Sequence, residues 1–393
     1  PCGTLFPYTT LFRSELPAGQ SRPSGDILVR LWDGSTWGAE VALTDDVASD
    51  LAPAAAFDET GQLVVVYQRN VEPLPTDLSQ LDAYGDAYEL HWAAVDPATA
   101  QVVDGGALTA NAANDFGPFL RAGADGSLHL FWQRAAGAEL VGTDADPVAI
   151  VTRSFAGGQW TDEEVAVGGL EGVFGWSPAV LSGDEMLIGL IRDTDGDLGT
   201  DEDRDLFLVT RTVGAWDLPV RVTSDLLVDD SPQAAYDDAG EPVLLWRSDG
   251  EVLQLRGDLT GPPQPAFGSA DPATDDGIGG QLALGRLAGG PSGLAVIWPE
   301  GTQLELATDR SGGMTGGWSS PARPFPDPTA QSVHSLHTTG TALTVGYATR
   351  AFEADGASLE ATITPQIGEF PFATIFADGF ESGGLAAWSA AVP

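Results

Sequence analysis

Lysine is absent from this chain of 393 residues, in which 17 basic residues, all arginines, stand against 57 acidic residues. The formal net charge of −40 repels phosphate backbones and anionic lipid surfaces. This balance excludes nucleic acid from the partners that we expect. It favours cations or polar ligands such as sugars.

Cysteine and long apolar runs are also scarce. Cys2 is the single cysteine, so an intrachain disulfide is excluded. No apolar run approaches the roughly 18 residues that a membrane-spanning helix needs, and we therefore expect no membrane insertion. Helical periodicity is missing throughout, although 43% of the residues are hydrophobic, enough for a sizeable core. These absences together predict an all-β fold.

A unit of four short strands recurs along the chain. Its first half pairs two apolar strands around a Gly or Asp turn, and its second half pairs two strands around a turn that often carries Gly and Trp. The first halves lie at 52–69, 117–134, 177–192, 231–247, 279–299 and 331–350, and the second halves include 27–44, 149–167, 206–223 and 304–324. Four-stranded sheets repeated in this way predict a β-propeller, because a ring of such sheets protects its edges. A jelly roll or stacked sandwiches, the alternatives, do not predict a four-strand repeat.

The Gly–Trp turns carry a resemblance to a known family. Trp37, Trp160, Trp216 and Trp318 lie where the Asp-box hairpins of sialidase-like propellers, of pattern Ser-x-Asp-x-Gly-x-x-Trp, have their tryptophan. The Ser and Asp positions are mostly lost. The resemblance covers most of residues 26–364 and implies a β-propeller with six readable four-stranded blades, and seven in the intact protein. Since the family's Asp box stabilises a turn, it implies shape rather than activity.

Aromatic residues recur at one place in the repeat, near the ends of strands. They are Trp32, Tyr67, Trp132 and Trp246. Aromatic side chains at equivalent repeat positions are more often packing residues than ligand platforms. We therefore expect them in the core or between blades.

The two ends of the chain differ from the repeats. Residues 4–14, TLFPYTTLFRS, look like the translation of a widely used sequencing adapter, so we expect residues 1–14 to be an artefact outside the fold. A linker at 15–25, a propeller at 26–365 and a tail at 366–393 follow. We further expect that the true N-terminus, with any signal peptide, is missing.

The tail contains DGFESG followed by a tryptophan. It resembles a short ending of exported bacterial proteins, which implies an extracellular or periplasmic location. The alternative is a frayed end without a role.

Arginine recurs where the second strand of the repeat ends, at Arg69, Arg134, Arg192, Arg247 and Arg350. In a propeller these positions fall on one rim, where arginines can bind a carboxylate or a sulfate through paired hydrogen bonds. The alternative, which we favour, is that each arginine pairs with nearby acidic residues and stabilises its own blade.

The stretch DTDGDLGTDEDRD, residues 193–205, is the strongest local chemical signal. Asp193, Asp195, Asp197 and Asp201 occupy the first, third, fifth and ninth positions, a spacing that resembles calcium loops. We therefore predict a structural Ca²⁺ site that stiffens this loop. The alternative is a solvated acidic turn with Arg192 and Arg204 as counter-charges.

No catalytic set is complete in this sequence. Sialidases need an arginine triad, a Tyr–Glu pair and an aspartate that acts as the general acid. No Tyr–Glu pair can be assigned in this sequence. The HSLH pair, His334 and His337, points to opposite faces of a strand, so a structural role is expected. We therefore favour an exported, non-enzymatic propeller that binds a glycan, protein or surface polymer through its loop rim. The alternatives are a diverged sialidase-like glycoside hydrolase or lyase, and a structural module of a larger envelope protein.

Overall fold

The structure is a computed structural model. It describes residues 6–7, 11–13, 26–32, 38–46, 48–70, 88–137, 139–249, 251–266, 282–287, 293–300, 303–309, 318, 330–338, 342–354 and 359–371, with side chains described only within 26–318. The chain divides into two compact units. The first comprises 1–236, 242–249 and 256–261, and the second comprises 237–241, 250–255 and 262–393. Within the described residues, no helix has the length and apolar character needed to cross a membrane.

The first unit is built from short antiparallel strands. They are β1 (Phe6–Pro7), β2 (Leu11–Arg13), β3 (Asp26–Val29), β4 (Leu31–Trp32), β5 (Val41–Ala42), β6 (Ser49–Phe57), β7 (Leu63–Asn70), β8 (Tyr88–Asp96), β9 (Gln101–Ala107), β10 (Asn114–Ala122), β11 (Leu128–Ala135), β12 (Val148–Ala156), β13 (Gln159–Trp160), β14 (Glu164–Leu170), β15 (Val173–Ser182), β16 (Glu185–Asp193), β17 (Arg204–Thr212), β18 (Ala215–Trp216), β19 (Val220–Arg221), β20 (Asp229–Tyr236) and β21 (Pro242–Ser248).

These strands form successive sheets in chain order. The first sheet contains β2, β3 and β5, the second β6 to β9, the third β10 to β14 and the fourth β15 to β19. β20 and β21 then pair in the same antiparallel manner. The predicted repeat is confirmed, because each first half becomes the first two strands of a sheet.

Turn chemistry explains why the second halves fold as hairpins. In the third sheet, Gly157 and Gly158 link β12 to β13 with φ of 59° and 80°, and Phe155 pairs with Trp160 beside them. Two consecutive residues with positive φ define the turn whose twist matches that of the strands. Trp160 then packs edge-on against Trp92 of the second sheet, with ring centroids 5.9 Å apart.

The core of the first unit lies between neighbouring sheets. One cluster joins the third and fourth sheets and includes Phe131, Ile150, Ile188 and Val209. Equivalent clusters join the second sheet to the third and the first to the second. The second and third sheets therefore bury both faces against their neighbours, which explains nearly continuous apolar runs such as LVVVY in β7.

The recurring aromatic residues confirm the packing prediction where they are described. Trp132 and Trp246 are fully buried and Tyr67 is 5% exposed. The side chain of Trp32 lies outside the described residues. A position that repeats in sequence therefore repeats as a buried position.

The second unit continues the antiparallel pattern with β22 (Glu251–Arg256), β23 (Gln264–Pro265), β24 (Ala283–Leu287), β25 (Gly293–Glu300), β26 (Gln303–Asp309), β27 (Ala330–Thr338), β28 (Ala342–Ala354) and β29 (Leu359–Pro371). β24 to β26 form one sheet and β27 to β29 another. β29 extends to Pro371, past the predicted end of the propeller at residue 365. Trp318 donates a hydrogen bond to Gln254 Oε1 at 2.9 Å.

The N-terminal segment includes two described strands. Leu11–Arg13 pairs with Asp26–Val29, and Phe6–Pro7 pairs with Leu31–Trp32. Residues 1–14 thus contact the first sheet through backbone pairing, and their independence from the fold stays a prediction.

Candidate functional site

A threonine and an aspartate recur where the last strand of one sheet passes to the first strand of the next. Thr44, Thr109 and Thr223 each accept a hydrogen bond at Oγ from the backbone N–H of Ile27, Leu90 and Leu206, at 2.9, 2.8 and 2.8 Å. The aspartates that follow, Asp50, Asp115 and Asp229, are fully buried. We call each such pair a junction clasp.

Burial changes the titration of two clasp carboxyls, those of Asp50 and Asp229. Removal from water raises the pKa of Asp50 and of Asp229 to about 6, although Thr44 and Thr223 oppose this through hydrogen bonds. The Thr223 hydroxyl donates to Asp229 Oδ2 at 2.5 Å. The Thr223–Asp229 clasp is therefore a direct, buried contact, whereas the Thr109 hydroxyl forms a hydrogen bond with Glu89 and Asp115 accepts a hydrogen bond from Asn111.

The junction between the third and fourth sheets has no clasp. Each clasp lies at the same distance before a proline of the next sheet, namely Pro53, Pro118 or Pro232. At the same distances before Pro178, the threonine and aspartate are replaced by Gly169 and Gly175. The β11–β12 loop approaches instead, since Gly172 N–H donates to Gly142 O at 3.0 Å and Val173 N–H to Val141 O at 2.7 Å.

Most described members of the arginine series pair with carboxylates. Arg69 forms ion pairs with Asp46 and Asp50, and Arg134 binds Asp115 at 2.6 Å. In both cases a clasp aspartate stands directly opposite the arginine on the adjacent strand.

The two later members, Arg247 and Arg350, are placed differently. Arg247 lies 4.0 Å from Asp230, the residue next to the clasp aspartate. Arg350 lies in β28 opposite Ile363, and its side chain is outside the described residues.

Arg192 is the exception in the series. Val173 stands opposite it, and among the described residues no carboxylate lies within 4.0 Å of its guanidinium. Its Nε donates to Glu171 O at 3.1 Å, and its guanidinium lies 5.1 Å from the centre of the Phe207 ring. Burial lowers the pKa of Arg192 below its ordinary value, partly offset by the charge of Glu171.

The strand register explains this difference. The residues that follow Pro53, Pro118 and Pro178 pair with Val66, Phe131 and Leu187 on the second strand of each sheet. Counted from these partners, Arg192 lies two residues further along its strand than Arg69 and Arg134 do. Two residues of a strand span roughly 7 Å. The guanidinium is therefore carried beyond the place where a clasp would hold it.

A cavity of about 690 Å³ opens at this junction. The β11–β12 loop, the β14–β15 connection, the end of β16 and the acidic loop after it supply its walls. Its charged lining is Asp144, Glu171, Arg192, Asp193, Asp195 and Arg221. Arg221 is engaged by the buried Asp205, so Arg192 is the lining cation without a carboxylate partner among the described residues.

The acidic loop folds back on itself at the edge of this cavity. Asp203 Oδ2 accepts hydrogen bonds from the backbone N–H groups of Thr194 and Asp195 at 3.0 and 2.8 Å. Although partial burial raises the pKa of Asp203, these hydrogen bonds lower it below its ordinary value. Asp193, Asp195 and Asp203 each place a carboxylate oxygen within 4.8 Å of the others and can hold an ion.

Asp193 has a polar atom without a partner. The residue is 4% exposed, and its Oδ1 accepts from Gly196 N–H at 2.8 Å. Its Oδ2 is buried and has no hydrogen-bond partner among the described residues. Gly172 is required here, because a Cβ at this position would lie 2.5 Å from the Asp193 Cβ.

The structure brings together only part of the predicted calcium set. Asp193 and Asp195 join Asp203, whereas Asp197 and Asp201 lie outside this group. The Oδ1 of Asp197 accepts from Gly199 N–H at 3.1 Å. Asp203 was missed because it enters through the hairpin, in which Asp193 pairs with Arg204 and the two ends of the loop meet.

Comparison with known proteins gives a fold and no closer relationship. No protein-family model and no curated protein sequence matches the chain. Among solved structures, the polysaccharide lyase Uly1 matches with a TM-score of 0.52 and 12% identity, covering 87% of this chain and 84% of that chain. A PL25 ulvan lyase bound to -[GlcA(1-4)Rha3S]- matches with a TM-score of 0.52 and 10% identity, covering 86% of each chain.

A third structure is that of an arabinofuranosidase rather than a lyase. The GH93 α-L-arabinofuranosidase of Fusarium graminearum with arabinobiose matches with a TM-score of 0.50 and 15% identity, covering 81% of this chain and 92% of that chain. The protein is an all-β β-propeller, as the repeat predicted. Its blades are the successive antiparallel sheets, and its resemblance to sialidase-like Asp-box propellers is one of fold.

Proposed function

We propose that this propeller binds a carbohydrate in the rim cavity between the third and fourth sheets. The observation that carries this proposal is Arg192, an arginine that faces the cavity with Val173, rather than a clasp aspartate, opposite it. A guanidinium without a carboxylate partner can bind the carboxylate or hydroxyl groups of a sugar through paired hydrogen bonds. Phe207 also lines the cavity and adds an apolar ring to its surface.

Carbohydrate is the favoured ligand among those that the rim could take. Two of the propellers compared above hold a sugar, arabinobiose in one and a -[GlcA(1-4)Rha3S]- unit in the other, which supports a sugar over a protein or another surface polymer. Exposed carboxylates disfavour a strongly anionic polymer as a simple electrostatic partner.

The test uses two variants that remove the binding group in different ways. Arg192→Gln deletes the charge, and Val173→Asp restores the cross-strand aspartate, which would engage Arg192 as Asp115 engages Arg134. Both should weaken binding of a glucuronate–rhamnose disaccharide or arabinobiose at least tenfold by calorimetry. Arg30→Gln, which removes an exposed arginine paired with Glu40, is the matched control. Wild-type affinity in both Arg192 and Val173 variants would refute the proposal.

We also propose that the acidic group of Asp193, Asp195 and Asp203 binds Ca²⁺. Carboxylates this close repel one another unless a cation or protons neutralise them, and hard oxygen ligands suit Ca²⁺. The buried, unpartnered Oδ2 of Asp193 supports an ion at this place. The ion would hold the β16–β17 loop in shape.

Calorimetric titration of metal-stripped protein with Ca²⁺ tests this site. Asp203→Asn should abolish the binding heat and the rise in melting temperature. Asp201→Asn, a change in the same loop outside the group, should leave both unchanged. Absence of binding heat in the wild type at millimolar-order Ca²⁺ would remove the site.

Binding rather than catalysis is our proposal for the activity, and export to the periplasm or the exterior is our proposal for the location. The alternative of a diverged hydrolase or lyase draws on the carboxylates Asp144 and Glu171 in the cavity and on the activities of the compared enzymes. Release of reducing ends or of unsaturated uronate from a polysaccharide panel, abolished by Glu171→Gln, would favour the enzyme.

A further inference from the structure

The proposed ion site and the proposed sugar site share a wall. Asp193 and Asp195 belong to the group that can hold an ion, and both also line the cavity. Asp203, the third member, anchors the backbone of Thr194 and Asp195. An ion held there therefore lies at the edge of the cavity, where a bound ligand can reach it.

Charge makes the cavity a poor receptor for an anionic sugar when the ion is removed. Four carboxylates line it, from Asp144, Glu171, Asp193 and Asp195. Arg221 is engaged by Asp205, so among the residues that the structure describes Arg192 is the lining cation without a carboxylate partner. A uronate carboxylate entering this cavity meets like charges on several sides.

Coordination supplies the second step. Ca²⁺ takes 6–8 oxygen ligands, and three carboxylates provide about three to six oxygens, depending on whether each binds through one or both of its oxygens. Some coordination positions are therefore left for water or for ligand oxygens. Those that face the cavity are available to a carboxylate or to neighbouring hydroxyl groups of a sugar.

We propose that the Ca²⁺ ion bridges the protein to a uronic-acid sugar, whose oxygens complete the coordination of the ion while Arg192 binds the sugar from the strand end. This inference rests on the proposed function and deepens it, since it specifies the class of sugar. It makes binding of the ion and of the sugar mutually dependent, because linkage requires each to raise the affinity of the other by the same factor.

Calorimetry with sodium glucuronate and glucose tests the coupling in the full chain, with and without Ca²⁺. We expect glucuronate to bind at least tenfold more tightly with Ca²⁺ than with a chelator, and Ca²⁺ to bind tighter by the same factor with glucuronate present. Glucose, which lacks the carboxylate, should show less coupling. Asp203→Asn should remove the calcium dependence, whereas Asp201→Asn should keep it.

The outcomes separate the two proposals. Glucuronate affinity that is equal with and without Ca²⁺ would overturn the bridging ion and leave carbohydrate binding intact. Glucuronate that binds in neither condition would also overturn the inference. Carbohydrate binding itself would then be judged by arabinobiose and by the Arg192→Gln variant.

Discussion

His129 is enclosed by hydroxyl groups at both ring nitrogens. Its Nε2 lies 2.9 Å from Ser127 Oγ and its Nδ1 lies 2.9 Å from Ser154 Oγ. Ser127 in turn donates to Asp125 Oδ1 at 2.5 Å, so the neutral ring donates from Nε2 and accepts at Nδ1. Burial lowers the pKa of His129 to about 4, with Asp125 opposing this and Arg211 adding to it.

We therefore expect His129 to weaken the fold in acid. Because its pKa in the folded state lies below the ordinary 6.5, its contribution is complete above pH 6.5 and is lost as the pH falls towards 4, by about 3 kcal/mol in all. The measurement is the free energy of unfolding against pH for the wild type and His129→Gln. The variant should show a flatter profile between these two pH values, and an unchanged profile would contradict the assignment.

Trp132 gives the second expectation at the residue scale. It is fully buried, and its Nε1 donates to the clasp carboxylate of Asp115 at 2.7 Å. Trp132→Ala should cost roughly 3–5 kcal/mol of unfolding free energy. Trp132→Phe, which keeps most of the volume, should cost less, and retention of full stability in the alanine variant would contradict core packing.

The arginine series shows what a repeated residue can and cannot reveal. The sequence favoured pairing with nearby carboxylates, and Arg69 and Arg134 confirm this. The isolation of Arg192 depends on which residue the adjacent strand places opposite it. All three sheets have a bulge in the first strand, so the difference lies in the two residues by which Arg192 lies further along its own strand, and the residue opposite it is known only from the pairing.

Among the elements, the β17–β18 hairpin contains a strained turn. Val213 and Gly214 link its strands with φ of 53° and 79°, the conformation that Gly157 and Gly158 adopt in the third sheet. A β-branched residue at positive φ is unfavourable by about 1–3 kcal/mol. Val213 is 87% exposed, so little packing offsets the strain.

Val213→Gly should therefore stabilise the fold, by about 1 kcal/mol. The reciprocal change Gly157→Val, in the equivalent hairpin, should destabilise it by a similar amount. Denaturant unfolding of both variants measures the pair. A loss of stability in Val213→Gly would show that this side chain contributes more through contacts than it costs in strain.

The acidic loop shows which ion-binding residues can be identified from their spacing in the sequence and which cannot. The alternation of aspartates predicted a cation-binding loop and selected Asp193 and Asp195, which the structure places together with Asp203. The spacing could not select Asp203, because this residue comes close to Asp193 only when β16 and β17 pair and bring the two ends of the loop together. The fold itself was more predictable, since strand alternation and Gly turns repeat in every unit.

At the scale of the whole molecule, the N-terminal segment tests whether residues 1–14 belong to the folded domain. Leu11–Arg13 pairs with Asp26–Val29, yet residues 1–14 lack the pattern of the repeats. We expect deletion of residues 1–14 to leave the midpoint of thermal unfolding unchanged, because the segment reads as a translated sequencing adapter rather than as part of a repeat. A fall of several degrees would show that the added strand stabilises the first sheet.

The junction without a clasp implies a route by which such a protein can acquire receptors. Every other junction described in the first unit carries a threonine and an aspartate, so the cavity lies where this pair is omitted and where two loops supply the walls. Repeat proteins distribute their stability over the interfaces between neighbouring repeats. The fold can therefore remain stable when one clasp is absent and the others are kept. Replacing Thr109 and Asp115 with glycine would then be a way to open a second binding cavity on the same rim. The molecule would gain a binding site without the insertion of a new segment.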